Sequence, residues 1–258
     1  MEPIENPRLT LEVSFYGEGV VDSGGPRREF FRLCLHEIKA KYFDRGIQEH
    51  LANDYIVVGT IMALSILQNG SMPRFLGEEN IYQIFQSGNP SESIFNLRKG
   101  LDKLGLYQIR KALPSFQYLF TPSPASAISR RKLLLLLQAS FSEDGSNARK
   151  DENAAYQMFT KYCQEAGSGR RGNVSLGHIL QFVTGADEEP PVGFQIQPSI
   201  VFVPANDGLL WSFVLTANTC THTLNLPRST SGKTSLPNAK DLFSVYDTAF
   251  SNAYFGKA

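Results

Sequence analysis

The spacing of apolar residues along the first half of the chain predicts one strand followed by helices. Residues 9–15, LTLEVSF, alternate apolar and polar positions, which predicts a strand, and the glycines after them predict a tight turn. In PRREFFRLCLHEIKAKYF the apolar residues recur at three- and four-residue steps, and Cys34 falls on that apolar stripe. This stretch therefore predicts a helix that holds Cys34 in the core.

A second and more apolar helix is predicted over residues 53–70. The stretch NDYIVVGTIMALSILQNG opens with an Asn or Asp cap, is apolar nearly all round and ends at Gly70. We expect this helix to be buried on most sides. Weaker helical patterns follow at residues 77–85 and 91–109.

The second half begins after a polar stretch at residues 142–152, SEDGSNARKDE, which has no apolar periodicity and predicts a flexible linker. Beyond it, NAAYQMFTKYCQEAG predicts an amphipathic helix with Cys163 in the core. SLGHILQFVTG predicts a helix that is capped by Ser175 and ended by Gly185. PSIVFVP and LLWSFVL predict strands, and DLFSVYDTAFSNAYF predicts a closing helix.

These elements predict an α+β protein of two parts, a mainly helical one over residues 1–145 and a smaller one with strands over residues 146–258. Basic and acidic residues both number 25, so no overall field attracts nucleic acid or an anionic membrane. The first residues lack the pattern of a secretory signal, and the longest apolar run is shorter than a membrane span. We therefore expect an intracellular protein whose partners are proteins or small molecules.

The three cysteines are an odd number with no C-x-x-C pair, which argues against a disulfide framework and a zinc site and predicts free thiols. Cys34 and Cys163 both have a core explanation. Cys220 differs because its surroundings, TANTCTHT, are polar and predict a loop or strand end near solvent, where a thiol can ionise and attack. The alternative is that Cys220 is only a small buried residue.

His222 lies two residues after Cys220 and offers a second group at this place. On an extended segment both side chains would point to the same face, where the imidazole would polarise the thiol. The alternative is a solvated surface histidine.

Two other kinds of chemistry fit the residues poorly. The glycines of GEGVVDSGGP lack the order of a phosphate-binding loop, so we expect Gly24 and Gly25 to supply backbone angles that other residues avoid, with Pro26 starting the helix. A cysteine protease would pair Cys220 with His178 as its base. However, His178 falls within a predicted helix, and neither a caspase-type nor a papain-type signature surrounds the cysteine.

Three blocks, GEGVVDSGGPRREFF, LQFVTGADEEPPVGF and NTCTHTLNLP, occur in the order found in HECT-type ubiquitin ligases. The resemblance covers most of the chain and is poorest at residues 88–150. NDYIVVGTIMALSILQNGSMPRFL is most similar to a divergent HECT-like group that includes the G2/M phase-specific ubiquitin ligase. The resemblance implies a two-lobe HECT-like architecture, with a shortened N-lobe over residues 1–145 and a C-lobe with the catalytic cysteine over residues 146–258.

In that family, the cysteine that matches Cys220 accepts ubiquitin as a thioester from a conjugating enzyme and passes it to a lysine of a protein substrate. Thr219 occupies the family's threonine position, where its hydroxyl would support the thiolate or the oxyanion. The alternative is that this hydroxyl only satisfies the loop backbone. Phe255 holds the family's hydrophobic position near the carboxyl terminus and would anchor the tail. The resemblance implies no cofactor and no metal, and a place in the cytoplasm or nucleus.

The sequence departs from the family pattern next to the cysteine. Members usually carry His before the Thr-Cys pair and Phe-Asn after it, whereas this chain has Asn218, Thr221 and His222. The segment at 88–150, where the family's docking subdomain for the conjugating enzyme would lie, is also short. We therefore expect slow thioester formation, with full activity requiring a longer chain or a partner. The alternative function is a catalytically weak HECT-like module that acts as a ubiquitin-binding or regulatory interaction domain.

Overall fold

The protein is an α+β chain that divides into two compact units, Met1–Ser126 and Ala127–Ala258. A computed structural model describes residues 9–14, 24–122, 127–190 and 193–251. Its helices are α1 (Gly25–Tyr42), α2 (Asp54–Leu67), α3 (Glu78–Phe85), α4 (Glu92–Asp102), α5 (Leu106–Ala112), α6 (Arg130–Leu136), α7 (Asn147–Gly167), α8 (Leu176–Thr184) and α9 (Ala239–Ser251). Its strands are β1 (Gln138–Ser140), β2 (Ser199–Pro204), β3 (Thr216–Asn218) and β4 (Thr223–Arg228).

The first unit is built around the crossing of α2 and α4. Gly59 and Gly100 face each other there, and a Cβ atom added to Gly100 would lie 2.9 Å from the Cα atom of Gly59. The helices therefore approach to backbone contact, which only glycine permits. The surrounding core takes apolar side chains from α1 to α5 and reaches Phe120.

The predicted strand at residues 9–15 is wrong for the residues that the structure describes, since 9–14 form no strand. The side-chain amide of Gln68 bonds to this segment instead. Its Oε1 accepts from the Leu11 amide at 2.8 Å, and its Nε2 donates to the Leu9 carbonyl at 3.1 Å. An alternating pattern needs a partner strand to become a strand, and here the side chains of Gln68 and Arg27 bond to the backbone instead.

The predicted helices of the first unit are confirmed, with two changes at their ends. Asn69, at φ 59°, supplies the left-handed residue after α2, while Gly70 is needed because a Cβ atom there would lie 2.7 Å from Phe31 and from Ser65. The pattern over 91–109 is two helices, α4 and α5, because Gly105 at φ 76° separates them.

The helix predicted around Cys34 is also confirmed, but Cys34 itself is half-buried, whereas Phe31 and Leu35 form the core face of α1. The prediction that Cys34 is a core residue was therefore too strong. The turn before α1 uses Gly24 at φ 109°, and Pro26 lies in the first turn of the helix. Of the two glycines there, Gly24 alone has a positive φ.

The second unit contains a four-stranded sheet in the order β1-β2-β4-β3. Strands β1, β2 and β4 are parallel, and β3 runs antiparallel to β4. The α8 helix is confirmed with its cap at Ser175 and its end at Gly185, and Cys163 of α7 is fully buried as predicted. LLWSFVL is not a strand: Leu210–Phe213 form a 3-10 turn.

The predicted linker at 142–152 is confirmed as irregular only for residues 142–146, because Ser146 caps α7 and the helix runs from Asn147. The carboxylate of Glu152 is buried and accepts from the Ser142 amide at 2.7 Å and from its hydroxyl at 2.5 Å. The chain divides at 126/127 rather than at 145/146, because β1 pairs with β2 and so belongs to the second unit.

The start of α7 also fixes the end of β4. Asp151 accepts from the hydroxyl of Ser229 at 3.1 Å and from the amide and hydroxyl of Ser231 at 3.1 and 3.0 Å. Arg228 lies 3.8 Å from the carboxylates of Asp151 and Glu152. The strand that leads away from Cys220 is therefore held at its far end by a set of polar contacts that are partly exposed to solvent.

Candidate active site

Cys220 lies in a four-residue turn, 219–222, that joins β3 to β4 at one edge of the sheet. Its side chain is half-buried and its thiol is free. The prediction of a loop or strand end near solvent is confirmed. Because β4 also pairs with β2, the turn is attached to the sheet's interior through one of its two strands.

The side chain of Asn218 organises the backbone of this turn. Its Oδ1 accepts from the amide of Cys220 at 2.9 Å and from the amide of Thr221 at 3.1 Å. Asparagine commonly caps turns in this way, so the residue type explains the local conformation. Both amides are engaged in the turn, so neither is directed at a substrate in this conformation.

Two threonines flank the thiol. Thr219 is half-buried, and the hydroxyl of the exposed Thr221 donates to Oγ1 of Thr223 at 3.0 Å. Thr223 in turn donates to the carbonyl of Thr221 at 3.3 Å. Thr219 thus lies beside Cys220 in the chain and in the turn, and its supporting role stays a prediction.

His222 is buried, with 3% of its surface exposed, so the expectation of a solvated histidine is wrong. It has φ 52°, so the extended backbone that would place its ring on the face of Cys220 is absent at this residue. Ring atom Nδ1 lies 2.7 Å from the carbonyl oxygen of Ile196, and the His222 carbonyl accepts from the Ser199 amide at 2.9 Å. The ring also packs edge-on against Phe194, with centroids 5.2 Å apart.

The contact with Ile196 assigns a hydrogen to Nδ1 of His222. A carbonyl oxygen can only accept, so Nδ1 is the donor of this hydrogen bond. His222 therefore ties the end of the turn to the segment that enters β2, through its side chain and its backbone.

The other two thiols are poorly suited to nucleophilic chemistry. Burial raises the pKa of Cys34, and desolvation in the core raises the pKa of Cys163 to about 12. At neutral pH a thiol with the pKa of Cys163 is almost wholly protonated, and the thiolate is the nucleophile. Cys220 differs from both because it lies in a turn between two strands, whereas Cys34 and Cys163 lie on helices.

His178, the base of the protease hypothesis, has a structural role. Its Nδ1 accepts from the amide of Ser175 at 3.0 Å, and the Ser175 hydroxyl accepts from the His178 amide at 3.3 Å. These two bonds form the capping box of α8. The lone pair that a catalytic base needs is thus occupied in capping the helix.

Several expectations concern features beyond this turn. Within the described ranges, no group of three or more His, Cys, Asp or Glu residues is placed to hold a metal ion. The helices described are all too short or too polar to cross a membrane. Phe255, predicted to anchor the tail, lies outside the described residues.

Sequence reasoning missed the roles of Asn218 and His222. An asparagine two residues before the cysteine in a polar turn was a usable signal for a side-chain cap. No local pattern indicated that His222 is buried, because its partners Phe194 and Ile196 are distant in sequence. Neither a scan of the chain against protein-family models nor a search of curated proteins gives a match.

Proposed function

We propose that this chain is a HECT-type ubiquitin-protein ligase in which Cys220 carries ubiquitin as a thioester. The observation that carries the proposal is the setting of the three thiols. Cys34 and Cys163 lie on helices, where burial raises the pKa of each thiol, whereas Cys220 lies in a hairpin turn whose backbone is fixed by a neighbouring side chain. The three sequence blocks around "REFF", "LQFVTG" and "TC" support the same family.

The proposal assigns the two units to the two lobes of that family. Met1–Ser126 would be the N-lobe, and Ala127–Ala258 would be the C-lobe that carries the thiol. The mixed sheet of the second unit and the all-helical core of the first are consistent with this assignment.

The reaction begins with ubiquitin bound to a conjugating enzyme. The thiolate of Cys220 attacks the carbonyl carbon of that thioester. A new carbon–sulfur bond forms, and the cysteine of the conjugating enzyme leaves as a thiolate. The proton from Cys220 goes to solvent. Exchange between two thioesters is nearly isoenergetic, so the attacking thiol needs access and a fair thiolate fraction rather than a fixed triad. A lysine amine of the protein substrate then attacks, an amide forms, the thiolate of Cys220 leaves, and the amine loses a proton.

The oxyanion in each step needs a hydrogen-bond donor. The amides of Cys220 and Thr221 already donate to Asn218. The proposal therefore assigns this role to hydroxyl groups, with Thr219 as the supporting residue next to the thiol. No cofactor is needed.

The first unit bears on how the conjugating enzyme would be recruited. Residues from α4, α5 and the following 3-10 turn, among them Leu97, Leu106 and Phe116, belong to the same core as α1 to α3. Residues 88–122 thus contribute to that core, in the segment where the family's docking subdomain for the conjugating enzyme would lie. This supports slow loading, with full activity depending on a longer chain or a partner.

The second candidate is a weak HECT-like module that binds ubiquitin or regulates another protein. The observation in its favour is the exposed, polar Thr221, which stands where family members usually carry an aromatic ring. Without that apolar surface the turn would hold an incoming ubiquitin tail less firmly.

A loading assay separates these candidates. The chain is incubated with activating enzyme, conjugating enzyme and ubiquitin, and run on a gel with and without reducing agent. We expect an adduct that reducing agent removes, that Cys220→Ala abolishes, and that Cys34→Ala and Cys163→Ala keep. Non-covalent ubiquitin binding without any adduct would favour the module, and an adduct that persists in Cys220→Ala would show that another residue is used.

A further inference from the structure

His222 is the most deeply buried polar side chain near Cys220, and its role is open once a surface position is excluded. It is 3% exposed, and it is bonded at two points to the segment that enters β2: Nδ1 to the carbonyl of Ile196, and its own carbonyl to the amide of Ser199. Phe194 packs against the ring. These contacts restrain the backbone of the turn two residues after Cys220.

The other end of the turn has a different restraint. The side chain of Asn218 holds the amides of Cys220 and Thr221, which fixes the turn internally, and its backbone belongs to β3. The bonds of His222 reach residues that are far away in sequence, so they tie the turn to the segment that enters β2, in addition to the pairing of β3 with β4 at its two ends. Without them, the thiol would keep its local conformation but lose its fixed place.

We propose that His222 is a positioning residue for the thiol of Cys220, acting through the hydrogen bond from Nδ1 to the carbonyl of Ile196. This role rests on the proposed transfer function, since a fixed thiol matters most when a bulky thioester must be met in one orientation. It does not require the imidazole to touch the thiol or to accept its proton.

Three variants of the full chain test this role. Asparagine at 222 tolerates a positive φ and carries an amide Nδ2 the same number of bonds from Cα as Nδ1, so His222→Asn can keep the donor. Glycine also tolerates φ 52° but has no donor, so His222→Gly removes the bond without adding backbone strain. His178→Asn removes an exposed imidazole from the same unit and is the control.

The first measurement is the initial rate of ubiquitin loading per folded molecule, well below the melting temperature of each variant. We expect His222→Gly to load about tenfold more slowly than the wild type, because a small displacement of a reacting group has a cost of that order or more. His222→Asn and His178→Asn should stay within about twofold of the wild type, since both retain the anchoring donor at position 222.

The second measurement needs no ubiquitin. Iodoacetamide alkylation is followed separately at Cys220 and Cys163 by peptide mass. In His222→Gly the half-buried Cys220 should react faster while the fully buried Cys163 stays protected, and His222→Asn should restore the wild-type rate at Cys220. Cys163 thus reports general opening of the unit within the same molecule.

The inference is overturned if His222→Gly loads as fast as the wild type, if His222→Asn fails to restore loading, or if Cys163 becomes reactive together with Cys220. The last result would mean that His222 only stabilises the fold. A wild-type chain that never loads would instead refute the transfer function, and the alkylation rates would then decide by themselves whether His222 holds the thiol in place.

Discussion

Replacing Gly100 by alanine tests the packing on which the first unit depends. The added Cβ atom would lie 2.9 Å from the Cα atom of Gly59 and from the amide nitrogen of Thr60, both backbone atoms of α2. No side chain can rotate away to make room, so the two helices must separate. Overpacking of this kind costs about 3 kcal/mol, whereas alanine gains about 1 kcal/mol of helix propensity over glycine, so the net loss is about 2 kcal/mol.

That loss corresponds to a fall of about 7 °C in melting temperature for a unit of this size. Hydrogen exchange of peptides from α2 and α4 measures the opening of these two helices, and we compare its rate between the variants. Gly88→Ala is the matched control, because a Cβ atom there meets nothing within 4 Å and the residue is exposed. A Gly100→Ala variant as stable as Gly88→Ala would refute the argument for a backbone contact.

Three further predictions concern the second unit. Asp247→Ala should destabilise the unit by about 2 kcal/mol in urea unfolding, because Asp247 accepts from the buried Tyr162 hydroxyl at 2.8 Å and from Arg171 Nε at 3.1 Å; unchanged stability would contradict this. Burial raises the pKa of Cys163 in the folded state to about 12. The stability that this protonated thiol contributes is therefore complete below about pH 8.5, the pKa in the unfolded chain, and is lost as pH rises towards about 12. Between pH 8 and 10 the free energy of unfolding of the wild type should fall by about 2 kcal/mol more than that of Cys163→Ala. Phe255→Ala should slow transfer to lysine more than thioester loading, whereas a lower melting temperature with unchanged rates would show that the ring only stabilises the fold.

The helices of this protein were predictable where local signals agree. In α8 the apolar spacing, the Ser175 cap and the Gly185 end all fall within one short segment, and the structure has each of them. The same holds for α7 once Ser146 is recognised as its cap. Apolar spacing did not predict where α7 begins, because residues 142–152 show no apolar periodicity. Glu152 can be buried there because its carboxylate accepts from the amide of Ser142 in the same polar stretch.

The strands were harder because each depends on a distant partner. LLWSFVL has strand-like composition, but Phe213 is buried while Trp211 is 67% exposed, and the segment forms a 3-10 turn. Conversely, β4 was missed although it pairs with two strands. Pro227 argues against a central strand, yet β3 reaches only as far as Asn225, so beyond that point β4 pairs with β2 alone.

At the candidate site, too, some features follow from the local sequence and others depend on distant contacts. The turn position of Cys220 followed from its polar neighbours, and the buried setting of Cys163 followed from its helical stripe. The position of His222 depends on contacts with Phe194 and Ile196, which no local pattern contains. Sequence therefore indicated which thiol to consider, and the three-dimensional contacts showed what holds it.

The most direct test of the central claim is to replace Cys220 by serine and measure the intact mass of the chain after incubation with activating enzyme, conjugating enzyme and ubiquitin. A serine at the acceptor position forms an oxygen ester, which reducing agent does not cleave but alkali does, whereas the wild-type thioester is lost on reduction. We predict that the wild type gains one ubiquitin that reducing agent removes, and that any ubiquitin gained by Cys220→Ser survives reduction and is released by alkali. A reducible adduct that persists in Cys220→Ser would contradict the account, because it would place the thioester on another cysteine.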